Sequence, residues 1–251
     1  MEKDWKEQCC ELLELDTNND IDSKTFNLVT PRSRCPSCNH QIKAIENIPI
    51  ISYLFLKGKC SQCKKHISVR YPIIELVSAI AVTVVAYHFG VSIQTLSAIL
   101  LTWALIALTM IDFDHQLLPD DITLLFLWLG IGLNLFNVFT DINSSVLGAI
   151  FGYGILWFVY ITFKIVTGKE GMGHGDFKLL AALGAWFGWQ FLPLIIILSS
   201  VVGAAIGISL MIFKSHDRNT QIPFGPYLAI AGWIAMLWGP YIMSTYLNAS
   251  L

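Results

Sequence analysis

The sequence predicts an all-α polytopic membrane protein with a small polar head on its N-terminal side. Three observations carry that prediction. Of 251 residues, 55% are hydrophobic and 14% charged, against roughly 25% charged in soluble domains. The apolar residues gather into long runs separated by short polar gaps. The polar residues gather too, since residues 1–71 hold 11 of the 16 Lys and Arg and all 6 cysteines. A mean hydropathy of +0.60 agrees.

The expected domains are therefore a head at 1–71 and a helical membrane body at 72–251. The opening stretch "MEKDWKEQCCELLELDTNNDIDSKTFN" is polar. It has no basic region leading into an apolar one, so no cleavable signal peptide is expected. Further along, "CPSC" (Cys35, Cys38) and "CSQC" (Cys60, Cys63) stand 21 residues apart. That spacing matches a four-cysteine zinc ribbon, in which each pair turns two thiolates toward one point. Two disulfides or free thiols are the alternatives, and a reducing cytoplasm disfavours disulfides. Four protein ligands would close the coordination shell, so Zn²⁺ would be structural. A head this small gains from such a staple. His40 and His66 are redundant as ligands, and Cys9 and Cys10 read as ordinary thiols.

A spanning helix takes about 20 mostly apolar residues. About seven transmembrane helices are expected, at 72–89, 93–111, 121–139, 144–166, 177–190, 193–213 and 223–244. The fifth is short and starts beside Asp176 and Lys178. Basic residues favour the cytoplasmic side. Outside the head they are Lys164, Lys169, Lys178, Lys214 and Arg218. With the head in the cytoplasm, seven spans place the gaps near 112–120, 164–176 and 214–222 inside. The gaps near 90–92, 140–143 and 191–192 fall outside, and every Lys and Arg then lies inside. Asp141 is left on the outer side as a loop residue or helix cap, and His88 as an interfacial residue.

The same threading collects acids at cytoplasmic helix ends. In "MIDFDHQLLPDD" (Met110–Asp121), Asp112 continues an apolar run, where a carboxylate is costly unless it faces a polar interior. Asp120 and Asp121 read as N-caps or first-turn acids, and Asp114 and His115 as turn residues. In "GMGHGD", Gly171, Gly173 and Gly175 are expected to supply positive φ and close packing, and Asp176 to begin a helix. Lys178 either pairs with Asp176 or snorkels to the interface. Two close carboxylates cannot both ionise easily, so one keeps a proton. The ionised member then serves as general base on water and its partner polarises a carbonyl. Asp112 and Asp176 thus point to peptide hydrolysis by an aspartic mechanism. The rival is a proton-coupled membrane transporter using the same acids, but the middles of the spans carry almost no charge. "GAIFG" (Gly148, Gly152) and "GAAIG" (Gly203, Gly207) suit close helix packing within the chain, with homodimerisation as the alternative. "PFGP" (Pro223–Pro226) reads as a stiff start to the last helix. No nucleic-acid partner is expected.

With these pieces assembled, the chain resembles the bacterial prepilin peptidases, or type IV leader peptidases, over nearly its whole length. The resemblance rests on the cysteine head, "ALTMIDFDHQLLPD", "TGKEGMGHGDFKLLAALGAWFGW" and "PFGPYLAIAGW". The G-x-G-D pattern, Gly173 to Asp176, is the signature of a class of intramembrane aspartic proteases. The resemblance implies a multi-pass protein of the bacterial cytoplasmic (inner) membrane, with head and active site facing the cytoplasm. It implies cleavage of the basic leader from type IV prepilins and type II secretion pseudopilins. Many members then N-methylate the new N-terminus with S-adenosyl-L-methionine. The family's catalytic aspartates fall on Asp112 and Asp176, with Gly173, Gly175 and Lys178 in support. No residue is assigned to the methyl donor, because no glycine-rich nucleotide loop on a strand is found. Acids near the site, Glu170 among them, are expected to attract a basic leader. Members of the family usually begin with a further hydrophobic helix, whereas this sequence is expected to open within the head.

Overall fold

The computed structural model describes residues 33–48, 50–168, 171–214 and 223–249. Among them the chain is helical, with two isolated antiparallel bridges and no strand. Glu170, Arg218, Cys9 and Cys10 lie outside the described residues, and so does the opening of the head. The chain separates into two compact units, Met1–Glu75 and Leu76–Leu251.

In the first unit a 3-10 turn at Ala44–Asn47 leads to α1 (Ile51–Phe55). Glu75 accepts the Ile50 N–H at 3.0 Å, tying the start of α1 to the following helix. That helix, α2, runs from Arg70 to Phe89.

The second unit continues with α3 (Ile93–His115), α4 (Asp120–Asn134), α5 (Ile142–Thr167), α6 (His174–Phe187), α7 (Leu192–Lys214) and α8 (Gly225–Ala249). Each of the seven expected apolar runs forms a helix. Five are long and apolar enough to cross a membrane. The exceptions are α4 with 15 residues and α6 with 14. At 1.5 Å per residue they reach only about 22 Å, short of the roughly 30 Å hydrocarbon layer.

Local chemistry explains the ends. Ser92 caps α3 by accepting from Thr95 N at 3.2 Å. Asp141 caps α5 by accepting from Ser144 N at 2.9 Å, and that bond holds its carboxyl below the usual range. The helix expected at 121–139 stops at Asn134. Asn134 is fully buried, and its Oδ1 accepts the N–H groups of Phe139 and Thr140 at 3.0 and 3.1 Å. Those bonds fold the apolar stretch beyond it into a turn, where Phe139 packs on Trp186 and Phe187.

The short α6 is the buried centre of this unit, with eleven of its residues buried. Gly148 of α5 meets the backbone of Gly184, and a Cβ on Gly152 would stand 2.6 Å from the Leu180 carbonyl. These glycines therefore let α5 and α6 touch backbone to backbone. Gly203 on α7 likewise faces the Tyr227 ring of α8. At the far end of α6, Asn134 Nδ2 donates to Ala185 O and Trp186 O at 2.8 and 3.0 Å. The Trp186 indole donates to Phe126 O at 2.7 Å.

Candidate active site and metal centre

Asp112 stands in the last turn of α3, and its backbone carbonyl accepts the N–H of Gln116, which ends the helix in a left-handed conformation. Asp176 is the third residue of α6, after Gly173 at the N-cap. The two side chains are buried, at 5% and 6% exposure. They lie within electrostatic reach of each other. Two helices far apart in sequence thus bring two desolvated carboxylates together.

The N–H of Gly225, first residue of α8, donates to Asp112 Oδ2 at 3.1 Å. A Cβ on Gly225 would stand 2.6 Å from that oxygen and 3.2 Å from Leu118 Cδ1. A Cβ on Gly175 would stand 2.7 Å from Leu118 Cβ. Leu118, buried in the turn between α3 and α4, therefore lies against both glycines. None of Gly171, Gly173 and Gly175 has positive φ; the described glycines that do are Gly58, Gly90, Gly168 and Gly188. Gly175 is needed for closeness to Leu118, and Gly171 for closeness to the Phe163 ring, where a Cβ would stand 2.8 Å from Cε1. A Cβ on Gly173 would meet only Asp176 Oδ2, at an ordinary 3.7 Å.

Lys178 does not pair with Asp176. Its Nζ reaches both carboxylate oxygens of Asp120, at 2.6 and 2.7 Å, and so joins the starts of α6 and α4. Asp120 and Asp121 are first-turn residues of α4, behind Pro119. His174 at the start of α6 packs on the rings of Tyr160 and Phe177, 5.2 and 5.4 Å away. Lys164 donates to Tyr160 Oη at 3.2 Å.

Sequence reasoning missed Gly225 and Leu118. "PFGP" is visible as a motif, but it reads as a stiff start to the last helix and gives no sign of what Gly225 meets. Leu118 carried a weaker signal, an apolar residue inside the polar turn "DHQLLPDD".

The cysteines of the first unit form two matching knuckles. Cys35 N donates to His40 O and Asn39 N to Cys35 O; Cys60 N donates to Lys65 O and Lys64 N to Cys60 O. Asn39 and Lys64, each four residues after the first cysteine, both have positive φ, 54° and 59°. The four Sγ atoms lie within 4.8 Å of one another, with Cys35–Cys63 at 3.8 Å and Cys38–Cys60 at 4.0 Å. Those separations exclude disulfides. A tetrahedral ion with bonds of about 2.3 Å holds sulfurs roughly 3.8 Å apart, so the set fits a metal ion. Hydrogen bonds from the Ser37 and Cys38 backbone lower the Cys35 thiol to about 6, while burial and the neighbouring thiols raise Cys38 to about 12, as expected where several thiols crowd one point.

Five helices long and apolar enough to cross a membrane, a buried carboxylate pair and a four-cysteine cluster together describe a helical membrane protein with the acids of an aspartic hydrolase. Residues 99–208 match the Type IV leader peptidase family, and residues 14–89 match the bacterial Peptidase A24 N-terminal domain. The chain is 56% identical to a prepilin leader peptidase/N-methyltransferase of Stutzerimonas stutzeri over 248 residues, which is 99% of this chain and 85% of the relative. Proteins of the same name from Pseudomonas aeruginosa and Legionella pneumophila are 54% and 45% identical, covering 99% of this chain and 85% and 86% of theirs. No solved structure matches. The chain belongs to the type IV leader peptidase family.

Proposed function

We propose that this protein removes the leader peptide from prepilins and N-methylates the new N-terminus, with Asp112 and Asp176 as its catalytic pair. The carrying observation is the pair itself: two buried carboxylates at the ends of separate helices, within reach of each other. The ionised carboxylate takes a proton from water as the water oxygen bonds to the scissile carbonyl carbon. The protonated carboxyl donates to the carbonyl oxygen. The tetrahedral adduct then collapses; the C–N bond breaks and the leaving amine takes a proton from the pair. A dyad of this kind titrates as a unit, so the two roles belong to the pair. When bound, S-adenosyl-L-methionine would supply the methyl group to the freed amine, which gives up a proton as S-adenosyl-L-homocysteine leaves.

The remaining readings follow from this one. Seven helices thread the bacterial inner membrane with the head, 1–71, in the cytoplasm; the short α4 and α6 complete the bundle within 72–251. Type IV prepilins and type II secretion pseudopilins are the substrates, their apolar helices lying in the bilayer. Cys35, Cys38, Cys60 and Cys63 hold structural Zn²⁺.

The test is mass spectrometry of a purified prepilin incubated with the protein in detergent, with and without S-adenosyl-L-methionine. The expected products are a shortened chain, and with the donor the same chain bearing one added methyl group. Asp112→Asn and Asp176→Asn should express normally and leave the leader attached. Wild-type cleavage by either variant would remove the assignment. Because no ion gradient is present, activity here also separates a peptidase from a transporter.

A further inference from the structure

The strongest unexplained feature is the contact set around Asp112. α8 starts at Gly225, and the first N–H groups of a helix have no partner within it. Here one such N–H points at Asp112 and donates to its Oδ2 at 3.1 Å. Space at this point is closed. A methyl group on residue 225 would fall 2.6 Å from Asp112 Oδ2, and the next neighbour is Leu118 Cδ1 at 3.2 Å. Leu118 presses in turn on Gly175, the residue before Asp176, where a Cβ would stand 2.7 Å from its own Cβ. One buried leucine thus lies between the backbone that holds Asp112 and the backbone that carries Asp176.

We propose that Gly225 and Leu118 are positioning residues that seat Asp112 at its working distance from Asp176. Gly225 acts by its N–H and by having no side chain, and Leu118 acts as the spacer between the two glycines. The proposal rests on the peptidase reading above. It also gives the glycine of "PFGP" a role other than stiffening the start of a helix.

Misplacing a catalytic group by about 1 Å can cost on the order of 100-fold in rate. Gly225→Ala is therefore expected to lower kcat for prepilin cleavage by about that factor while KM stays near wild type. Leu118→Ala, which removes the spacer without adding bulk, is expected to lower kcat in the same way. Leu118→Met, of similar volume, should recover most of it. The same preparations are assayed for methyl transfer to a pilin already cleaved. That activity should persist, because transfer to a free amine cleaves no amide bond and needs no carboxylate pair to polarise a carbonyl, and its persistence shows that the variants fold. Wild-type kcat in either Gly225→Ala or Leu118→Ala would overturn the proposal. So would a parallel fall in KM-independent cleavage and methyl transfer, or a Leu118→Met enzyme as slow as Leu118→Ala. Asp112→Asn run alongside keeps the two ideas apart. If it cleaves, the peptidase reading fails; if it is inactive while Gly225→Ala is normal, only the seat fails.

Discussion

At the scale of single residues, one carboxylate stands in the last turn of α3 and another in the first turn of α6, and the lysine nearest them in sequence turns to a third. Lys178 is two residues from Asp176 in sequence, yet on a helix such neighbours point apart, and Lys178 goes to Asp120 on α4 instead. Its side chain is 28% exposed and that of Asp120 is 54% exposed, so the pair contributes less than about 1 kcal/mol. Lys178→Met is expected to lower the thermal midpoint slightly and to leave the pH profile of cleavage in place. A displaced profile would show that Lys178 acts on Asp176 after all. Gly225 escaped the sequence reading for a similar reason. Its role lies in what its backbone meets, 113 residues away along the chain, and no local pattern encodes that.

At the scale of elements, all seven helices were legible as apolar runs, but two of their lengths were not. The run beyond Asn134 is as apolar as the helix before it, and hydropathy alone extends α4 to residue 139. One buried asparagine overrides that by making four hydrogen bonds, two to the turn and two to the end of α6. Replacing it by alanine leaves buried donors and acceptors unpaired, at a cost on the order of 3 kcal/mol. Asn134→Ala should therefore unfold well below the wild-type midpoint in a detergent melt, whereas an unchanged midpoint would contradict the arrangement. α6 itself was suspected as short. Its burial follows from composition: alanine and glycine at 181, 182, 184 and 185 let its neighbours approach closely, and Gly148 and Gly152 meet it.

At the scale of the whole molecule, the metal centre and the carboxylate pair are separate devices in separate units. The cysteine spacing alone predicted a four-sulfur site, because C-x2-C forces both thiols to one side of a tight turn. The matching left-handed residues, Asn39 and Lys64, were invisible in the sequence, since neither is glycine. Elemental analysis of the purified protein should find one zinc per chain. Cys60→Ser should lose the metal, and a zinc-free wild type would contradict the centre. The activity was legible from the combination of acids with family motifs. The placement of the methyl donor had no such signal.

If Asp112 and Asp176 work as one unit, the double variant Asp112→Asn/Asp176→Asn shows it in its rate of prepilin cleavage. Groups that act together lose their whole effect when either is removed. The double variant is therefore predicted to be no slower than either single variant, all three lying at the background rate. Losses that multiply from single to double, or a single variant that cleaves at the wild-type rate, would contradict it.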